Sequence, residues 1–254
     1  MLALVKLCLP MPLKPVYIFL FTLFPFFAAA QFTDSTQYSV SYTSTGSINK
    51  TNDGNTYLLN NVAKIGVRKK TFNMNFSNSW VYGKQNRDLT NNDFTSALDF
   101  NLYSSVPHFF YWGLANYNTS KSLKINNQLL AGAGVAYSFF DTKNAYVNIS
   151  DGVLFDSSDL LLEDDVPDVY QTYRNSFRIV FKFTIREFIV LDNSTFFQPS
   201  LKKWEDYNFR SNSALSFKMN KWLSLTTALN YNRVSRTDRE NLLLSYGLSF
   251  QKFF

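Results

Sequence analysis

The stretch that decides the fold is 241–254, NLLLSYGLSFQKFF, in which two sets of residues alternate. Counting back from Phe254 to Leu242, every second residue is apolar apart from Lys252, and the residues between them are mostly small or polar. Successive side chains of a β-strand point to opposite faces. The pattern therefore predicts a strand with one apolar face and one polar face.

The same alternation recurs along the chain after residue 30, as in NQLLAGAGVAYSFF at 127–140. Several of these segments exceed ten residues, whereas strands of soluble proteins usually have about 5–6. A tilted strand of about 9–11 residues is long enough to cross a bilayer. The predicted strands are 36–46, 55–67, 71–83, 90–103, 108–118, 125–140, 144–155, 169–183, 186–198, 205–218, 222–234 and 241–254.

The connections between these segments alternate in length. Those after the odd-numbered segments have six to thirteen residues, and those after the even-numbered segments have two to four. In an up-and-down barrel, alternate connections lie at the same end. Short turns at the periplasmic end and longer loops at the outer end are typical of outer-membrane barrels. We therefore expect the short turns and both termini to face the periplasm.

The apolar face of each segment is expected to contact lipid. Twelve strands enclose a lumen too wide for side chains to fill by apolar packing alone, and closure pairs every strand edge. The sequence predicts an all-β fold, a transmembrane antiparallel up-and-down β-barrel of about twelve strands. The number falls to ten if 47–67 or 184–198 is not strand.

The first thirty residues have the pattern of a secretory signal peptide. Lys6 and Lys14 precede or flank the apolar run 16–28, and small residues follow before Gln31. We predict a signal peptide at 1–30 and a barrel at 31–254; an N-terminal anchor is the alternative. Cys8 lies within the signal peptide, so we expect no disulfide in the mature protein.

Charge and motifs exclude several functions. The net charge of +6 becomes +4 without Lys6 and Lys14, and no polybasic run is present, so nucleic acid is not an expected partner. The single histidine, His108, has no neighbouring nucleophile motif, so we predict no enzyme activity. We also predict no cofactor and no metal site. The acidic stretch 156–168 is interpreted as solvated loop rather than as a calcium site.

Charged residues on the polar faces are expected to point into the lumen, because charge on the lipid face is costly. Two interpretations remain open: a basic constriction that prefers anions, or ion pairs that plug the lumen. The second would pair Arg174, Arg178 and Arg210 with Asp99, Asp192 and Asp206. The predicted lumen-facing charges are Asp99, Arg174, Arg178, Lys182, Asp192, Asp206, Arg210 and Lys218.

The second half of the chain resembles a known family. LLAGAGVAYSFFDTKNAYVNISDGVLFD, YQTYRNSFRIVFKF and FFQPSLKKWEDYNFRSNSALSFKMNKWLSLTTALNYNR are similar to the YdiY-like, salt-induced outer-membrane proteins, over roughly 125–254. The resemblance implies a barrel and an outer-membrane location rather than a reaction. An acidic residue expected in the family's seventh strand is matched by Asp151, which lies off the alternation and would fit a β-bulge.

The C-terminal strand also resembles the signal by which barrel-assembly machinery recognises its clients. The residues that fit are Ser245, Gly247, Phe250 and Phe254. Expected partners are therefore this machinery, outer-membrane lipids and lipopolysaccharide, in the outer membrane of a Gram-negative bacterium.

The predicted function is a narrow porin-like channel for small solutes or an occluded structural barrel. One alternative is a receptor or adhesion barrel that uses the long loops. A lipid-modifying enzyme is the other alternative, against which the position of His108 argues.

Overall fold

The computed structural model describes residues 37–51, 54–142, 144–162 and 165–254, without the side chains of residues 37 and 253. The predicted signal peptide, 1–30, lies outside the described residues, as do Glu163 and Asp164 of the acidic stretch. No helix within the described ranges is long and apolar enough to cross a membrane.

The described chain folds as a closed antiparallel meander. Each strand pairs with the next along the chain, except that β8 and β9 both pair with β7, and β13 pairs with β1 to close the ring. The strands are β1 (Gln37–Lys50), β2 (Asn55–Arg68), β3 (Phe72–Gln85), β4 (Asp88–Tyr103), β5 (Phe109–Ser120), β6 (Ile125–Asp141), β7 (Ala145–Leu161), β8 (Pro167–Asn175), β9 (Phe177–Ile185), β10 (Ile189–Pro199), β11 (Tyr207–Lys218), β12 (Leu223–Val234) and β13 (Arg239–Phe253).

Segments β8 and β9 are two halves of one strand that is interrupted at Ser176. Both halves pair with β7 in one continuous register. The backbone N–H of Ser176 still donates to the Gly152 carbonyl, at 2.8 Å. The barrel therefore has twelve strands, which confirms the predicted fold and strand number.

The two faces of the sheet differ as the alternation predicts. Large apolar side chains are exposed on the outside of every strand except β10, whereas the buried polar side chains of the inner face are mainly Ser, Thr, Asn and Gln. Aromatic pairs lie outside near both ends of the barrel, such as Tyr57–Tyr82 near one and Phe109–Tyr137 near the other. Two aromatic girdles around an apolar band are typical of transmembrane barrels.

We call the end that holds Gln37 and Phe254 the near end and the opposite end the far end. The far-end connections are 51–54, 86–87, 121–124, 162–166, 200–206 and 235–238. The near-end connections are 69–71, 104–108, 142–144, 186–188 and 219–222.

The predicted contrast between long and short connections is wrong. Far-end connections have two to seven residues and near-end connections three to five. Strands continue past the point where the apolar alternation stops, because ladder pairing needs only backbone groups. β1 and β2, for example, stay paired as far as Lys50 and Asn55. The receptor interpretation loses the long loops on which it depended.

Candidate functional site

The far half of the lumen holds a buried ion network, here called the outer network, built around Arg174 of β8. Its members are Asp156, Asp168, Tyr170, Arg174, Asp206 and Arg236. The side chains of Arg174 and Asp156 are fully enclosed. Since the seven-residue connection 200–206 folds inward, Asp206 is buried although it precedes β11.

Arg174 uses all five of its N–H donors. Its Nε donates to Asp156 Oδ2 at 2.5 Å, and its Nη2 donates to Asp206 Oδ1 at 2.8 Å and to Tyr170 Oη at 3.0 Å. Its Nη1 donates to the carbonyls of Gln198 and Asp206. A guanidinium has five donors in a fixed fork, so this site satisfies the buried charge completely.

Arg236, in the 235–238 connection, joins this cluster from above the strands. It pairs with Asp168 at 2.6 Å and with Asp206 at 2.9 Å, and its guanidinium stacks 3.9 Å from the centre of the Tyr170 ring. Burial alone would lower the pKa of Arg236, but the hydrogen bonds to Asp168 and Asp206 raise that pKa above its ordinary value. Arg236 therefore stays charged and holds the connection over the lumen.

The interpretation of 156–168 as solvated loop is wrong at Asp156. This carboxylate lies within β7, on the inner face. It also accepts a hydrogen bond from Tyr170 Oη at 3.1 Å. The pattern DSSD, with two acids and two serines, looks like a loop, but every second residue of it lies on the inner face of an extended strand.

A second cluster, the waist, crosses the lumen near mid-height and consists of Asp99, Trp112, Arg178 and Phe196. Arg178 Nη1 lies 3.5 Å from Asp99 Oδ1, on strands that are not neighbours in the barrel. The guanidinium lies 5.7 Å from the ring centres of both Trp112 and Phe196. Cations are attracted to aromatic faces, so these rings fix Arg178 across the lumen.

Trp112 is seated against the wall because glycines face it. A Cβ placed on Gly134 or Gly152 would lie 2.8 or 2.6 Å from the indole ring. The indole Nε1 donates to the carbonyls of Val135 and Asp151 at 3.2 and 3.3 Å. Trp112 and Leu154 pack in an apolar cluster on the inner wall. The sequence analysis named no aromatic residue of the lumen.

The other predicted lumen charges lie on the inner-facing positions but are arranged less tightly. Asp192 and Lys182 are directly opposite each other on β10 and β9. Lys64 of β2, which the sequence analysis missed, also lies at an inner-facing position, opposite Ser41. Within the described residues, Arg210 and Lys218 form no ion pair. Of the three arginines that the second interpretation would pair with acids, Arg174 and Arg178 are paired in the described part of the chain and Arg210 is not.

The far mouth is narrowed by residues 121–124, here called the mouth turn. Asp93 of β4 accepts hydrogen bonds from Ser120 Oγ at 2.8 Å and from Ser122 Oγ at 2.7 Å. Across the mouth, Asn241 Nδ2 donates to Ser122 Oγ at 2.8 Å. A cavity of about 810 Å³ lies between the mouth turn and the first residues of β4 and β13.

His108 lies in the near-end connection 104–108 and is exposed. Its ring centre is 5.8 Å from that of Tyr137. The nearby Ser104 Oγ accepts a hydrogen bond from the Val106 backbone N–H. The arrangement is that of a turn histidine beside an interfacial aromatic girdle.

The predicted assembly residues lie along the seam between β13 and β1. Ser245 is fully buried, and its hydroxyl donates to Thr45 Oγ1 at 2.9 Å. A Cβ on Gly247 would collide with the Ser44 carbonyl. Phe250 lies outside and stacks on Trp222 at 5.9 Å, and the Phe254 backbone pairs with Tyr38.

A comparison with protein families matches residues 33–248 to the proteins of unknown function called DUF481. The chain belongs to the DUF481 family. It is the family of the YdiY-like proteins that the motifs of the second half resemble. No curated protein sequence matches this DUF481 protein.

Solved structures similar to the DUF481 chain are outer-membrane barrels. The NanC porin is 9% identical with a TM-score of 0.53, and 83% of this chain and 98% of that chain are covered. The KdgM porin is 13% identical (TM-score 0.43; 85% and 99% covered). The translocator domain of the autotransporter NalP from Neisseria meningitidis is 8% identical (TM-score 0.45; 87% and 90% covered). The likeness to the NanC porin shows the fold.

Proposed function

We propose that the protein is a narrow outer-membrane channel for small hydrophilic solutes, with the waist as its constriction and a preference for anions. The observation that carries this proposal is the solvent exposure of the Arg178–Asp99 pair. Their side chains remain 13% and 33% exposed although the pair crosses the lumen. A pair that keeps contact with water lines a wet passage, whereas the enclosed Arg174–Asp156 pair does not.

The position of the passage follows from what fills the barrel. The outer network occupies the side formed by β7 to β11. The cavity at the mouth turn opens on the side of β4 and β13, where the inner face carries Ser, Thr and Asn. This arrangement supports a route that enters beside the mouth turn, passes the outer network and reaches the waist.

The anion preference rests on the excess of basic side chains at inner-facing positions. A constriction lined by cations favours anions electrostatically. The inner-facing bases of the strands include Lys64, Arg68, Arg174, Arg178, Lys182, Arg210, Lys218 and Arg239, against the acids Asp93, Asp99, Asp141, Asp156, Asp168 and Asp192.

Planar-bilayer recording of the purified mature chain tests the proposal. We expect single-channel steps and, across a salt gradient, a reversal potential of anion sign. Arg178→Ala should enlarge the steps, and Arg178→Glu should move the reversal potential toward cations. Arg186→Glu, the same charge change in the near-end connection 186–188, is the control and should leave the reversal potential close to that of the unmodified chain.

A barrel with a closed lumen is the second candidate, and the contact of the mouth turn with Asn241 across the far mouth favours it. The recordings separate the two. Silence at all voltages, from protein that is folded by heat-modified gel mobility, would refute the channel and leave the closed barrel.

A further inference from the structure

Asp151 places a carboxylate on the lipid-facing side of the barrel. The register of β7 with β6 is unbroken there, and the ladders of β7 with β8 and with β9 are in phase on either side of Asp151, so the expected β-bulge is absent and Asp151 alternates outward with its neighbours. On the same face of β7 it is flanked by Val147 and Ile149 toward the near end and by Val153 and Phe155 toward the far end. Asp151 therefore lies at the centre of an apolar run.

The surroundings of Asp151 leave it short of partners. It is exposed, and Asn175 Nδ2 donates to its Oδ1 at 2.7 Å. Hydrocarbon supplies no hydrogen bonds, so an ionised or polar group held there needs protein partners. A second surface that covers Asp151 and supplies donors would remove this penalty.

The outside of β10 and β11 carries a matching polar patch, formed by Asn193, Thr195, Ser211 and Ser213. Asn193 Nδ2 donates to Ser213 Oγ at 2.8 Å and to Ser211 Oγ at 3.3 Å, and Thr195 Oγ1 donates to Asn193 Oδ1 at 3.0 Å. The patch lies between Leu191 and Phe197 on β10 and between Phe209 and Leu215 on β11. It is thus also at the centre of the apolar band, at the depth of Asp151.

The patch can offer a donor to a carboxylate. Ser213 Oγ accepts from Asn193, and within the described residues its own hydroxyl proton has no acceptor. Hydroxyls are short, rotatable donors. Asp151 is acceptor-only when ionised, so the two outward features are chemically complementary.

The spacing of the two features fits a closed ring. Asp151 and Asn175 straddle β7 and β8, whereas the hydroxyl patch straddles β10 and β11. Because β8 and β9 form one strand, the features are two strand spacings apart on a ring of twelve, or about 60° around the barrel. Heterologous contacts close into a ring when the rotation fits. For three subunits the contact faces of one subunit are about 60° apart.

We propose that the protein forms a head-to-tail trimer in the membrane, in which Asp151 and Asn175 of one copy contact the hydroxyl patch of the next. The contact buries the carboxylate against donors on a second copy of this chain. The outward Asp151, which costs stability in a lone barrel, thereby becomes a specific contact between subunits.

Cysteine crosslinking in native membranes tests the contact, because the one cysteine of the sequence, Cys8, lies in the predicted signal peptide. Val135 lies opposite Asp151, and Leu215 lies two residues beyond Ser213. The double variant Val135→Cys and Leu215→Cys should give covalent dimers and trimers on oxidation, and each single variant should stay monomeric. Dimers from Val135→Cys alone would show a twofold contact and overturn the head-to-tail arrangement. A product with a different protein would overturn self-association.

Light scattering of the detergent-extracted protein gives the second measurement. The unmodified chain should have the mass of three copies, and Asp151→Leu should reduce it to one copy while heat-modified gel mobility shows a folded barrel. Asn78→Leu, on the outside of β3 and away from both features, is the matched control and should leave three copies. A monomeric unmodified chain, or a trimer that Asp151→Leu does not disturb, refutes the proposal.

Discussion

Arg174 and Asp156 meet at 2.5 Å with both side chains fully enclosed, in the far half of the lumen. Enclosing an ion pair costs desolvation of both charges, which only good geometry and additional hydrogen bonds offset. The five donors of Arg174 and the additional donors to Asp156 provide these bonds. The outer network therefore fixes β7, β8 and the 200–206 connection in one arrangement.

Removing one partner of this pair should be severely destabilising. Arg174→Met leaves two enclosed carboxylates without their cation, and loss of one partner of a buried pair typically costs about 3–5 kcal/mol. The free energy of unfolding in urea, for the chain refolded in detergent, is the measurement. The triple variant Arg174→Met, Asp156→Leu and Asp206→Asn should recover part of the loss. A triple variant less stable than Arg174→Met would contradict this account.

The glycines facing Trp112 should be intolerant of side chains. Gly134→Ala forces a methyl group toward the indole ring and the neighbouring backbone, and overpacking typically costs about 1–3 kcal/mol. We expect a lower free energy of unfolding and a shifted tryptophan emission maximum. Gly113→Ala is the matched control, since its Cβ would make only an ordinary van der Waals contact, 3.9 Å from the Gly132 carbonyl oxygen. Equal effects of the two changes would show that Trp112 is not seated on Gly134.

Alternation alone was enough to predict the strands and their faces. In 127–140 the outward residues are apolar or aromatic, except for Asn127 at the far end of the strand. Lipid contact constrains the outward face and not the inward one. The predicted strands were shorter than the observed ones at many of their ends. There both faces meet water, so residues such as Lys50 and Asp159 carry no periodic signal although they are paired in the ladder.

The lumen clusters could be predicted only in part. The polar face of β9 indicates that Arg178 points inward, but its partner Asp99 lies on β4. Which residues of two non-neighbouring strands meet depends on the sum of the register shifts of all the strands between them. No local sequence pattern encodes that sum. Asp156 was missed because its stretch has the composition of a loop. Trp112 was missed because both faces of β5 are apolar over 109–115, so alternation there does not separate inside from outside.

The mouth turn should respond to loss of its anchor. Asp93→Ala removes the acceptor of Ser120 Oγ, Ser122 Oγ and the Ser122 backbone N–H, so the turn is freed from the wall. If the protein conducts as proposed, the single-channel steps should become larger or noisier. Asp159→Ala changes a half-buried acid near the end of β7 on the outer face; it is the control and should not alter the steps. Identical current traces for both variants would show that the mouth turn is not part of the conducting path.

Closure of the barrel should fail when the seam cannot form. Gly247 of β13 faces Thr45 of β1, and a Cβ there would collide with the Ser44 carbonyl, so Gly247→Val should prevent β13 from pairing with β1. We expect loss of the heat-modifiable folded species in membranes and accumulation of unfolded chain. Leu248→Val, on the lipid face one residue away, is the control and should assemble, because an exposed apolar side chain replaces another. Normal assembly of Gly247→Val would mean that the seam tolerates a shifted register, and that the role proposed for Ser245 and Gly247 in assembly does not depend on this close approach.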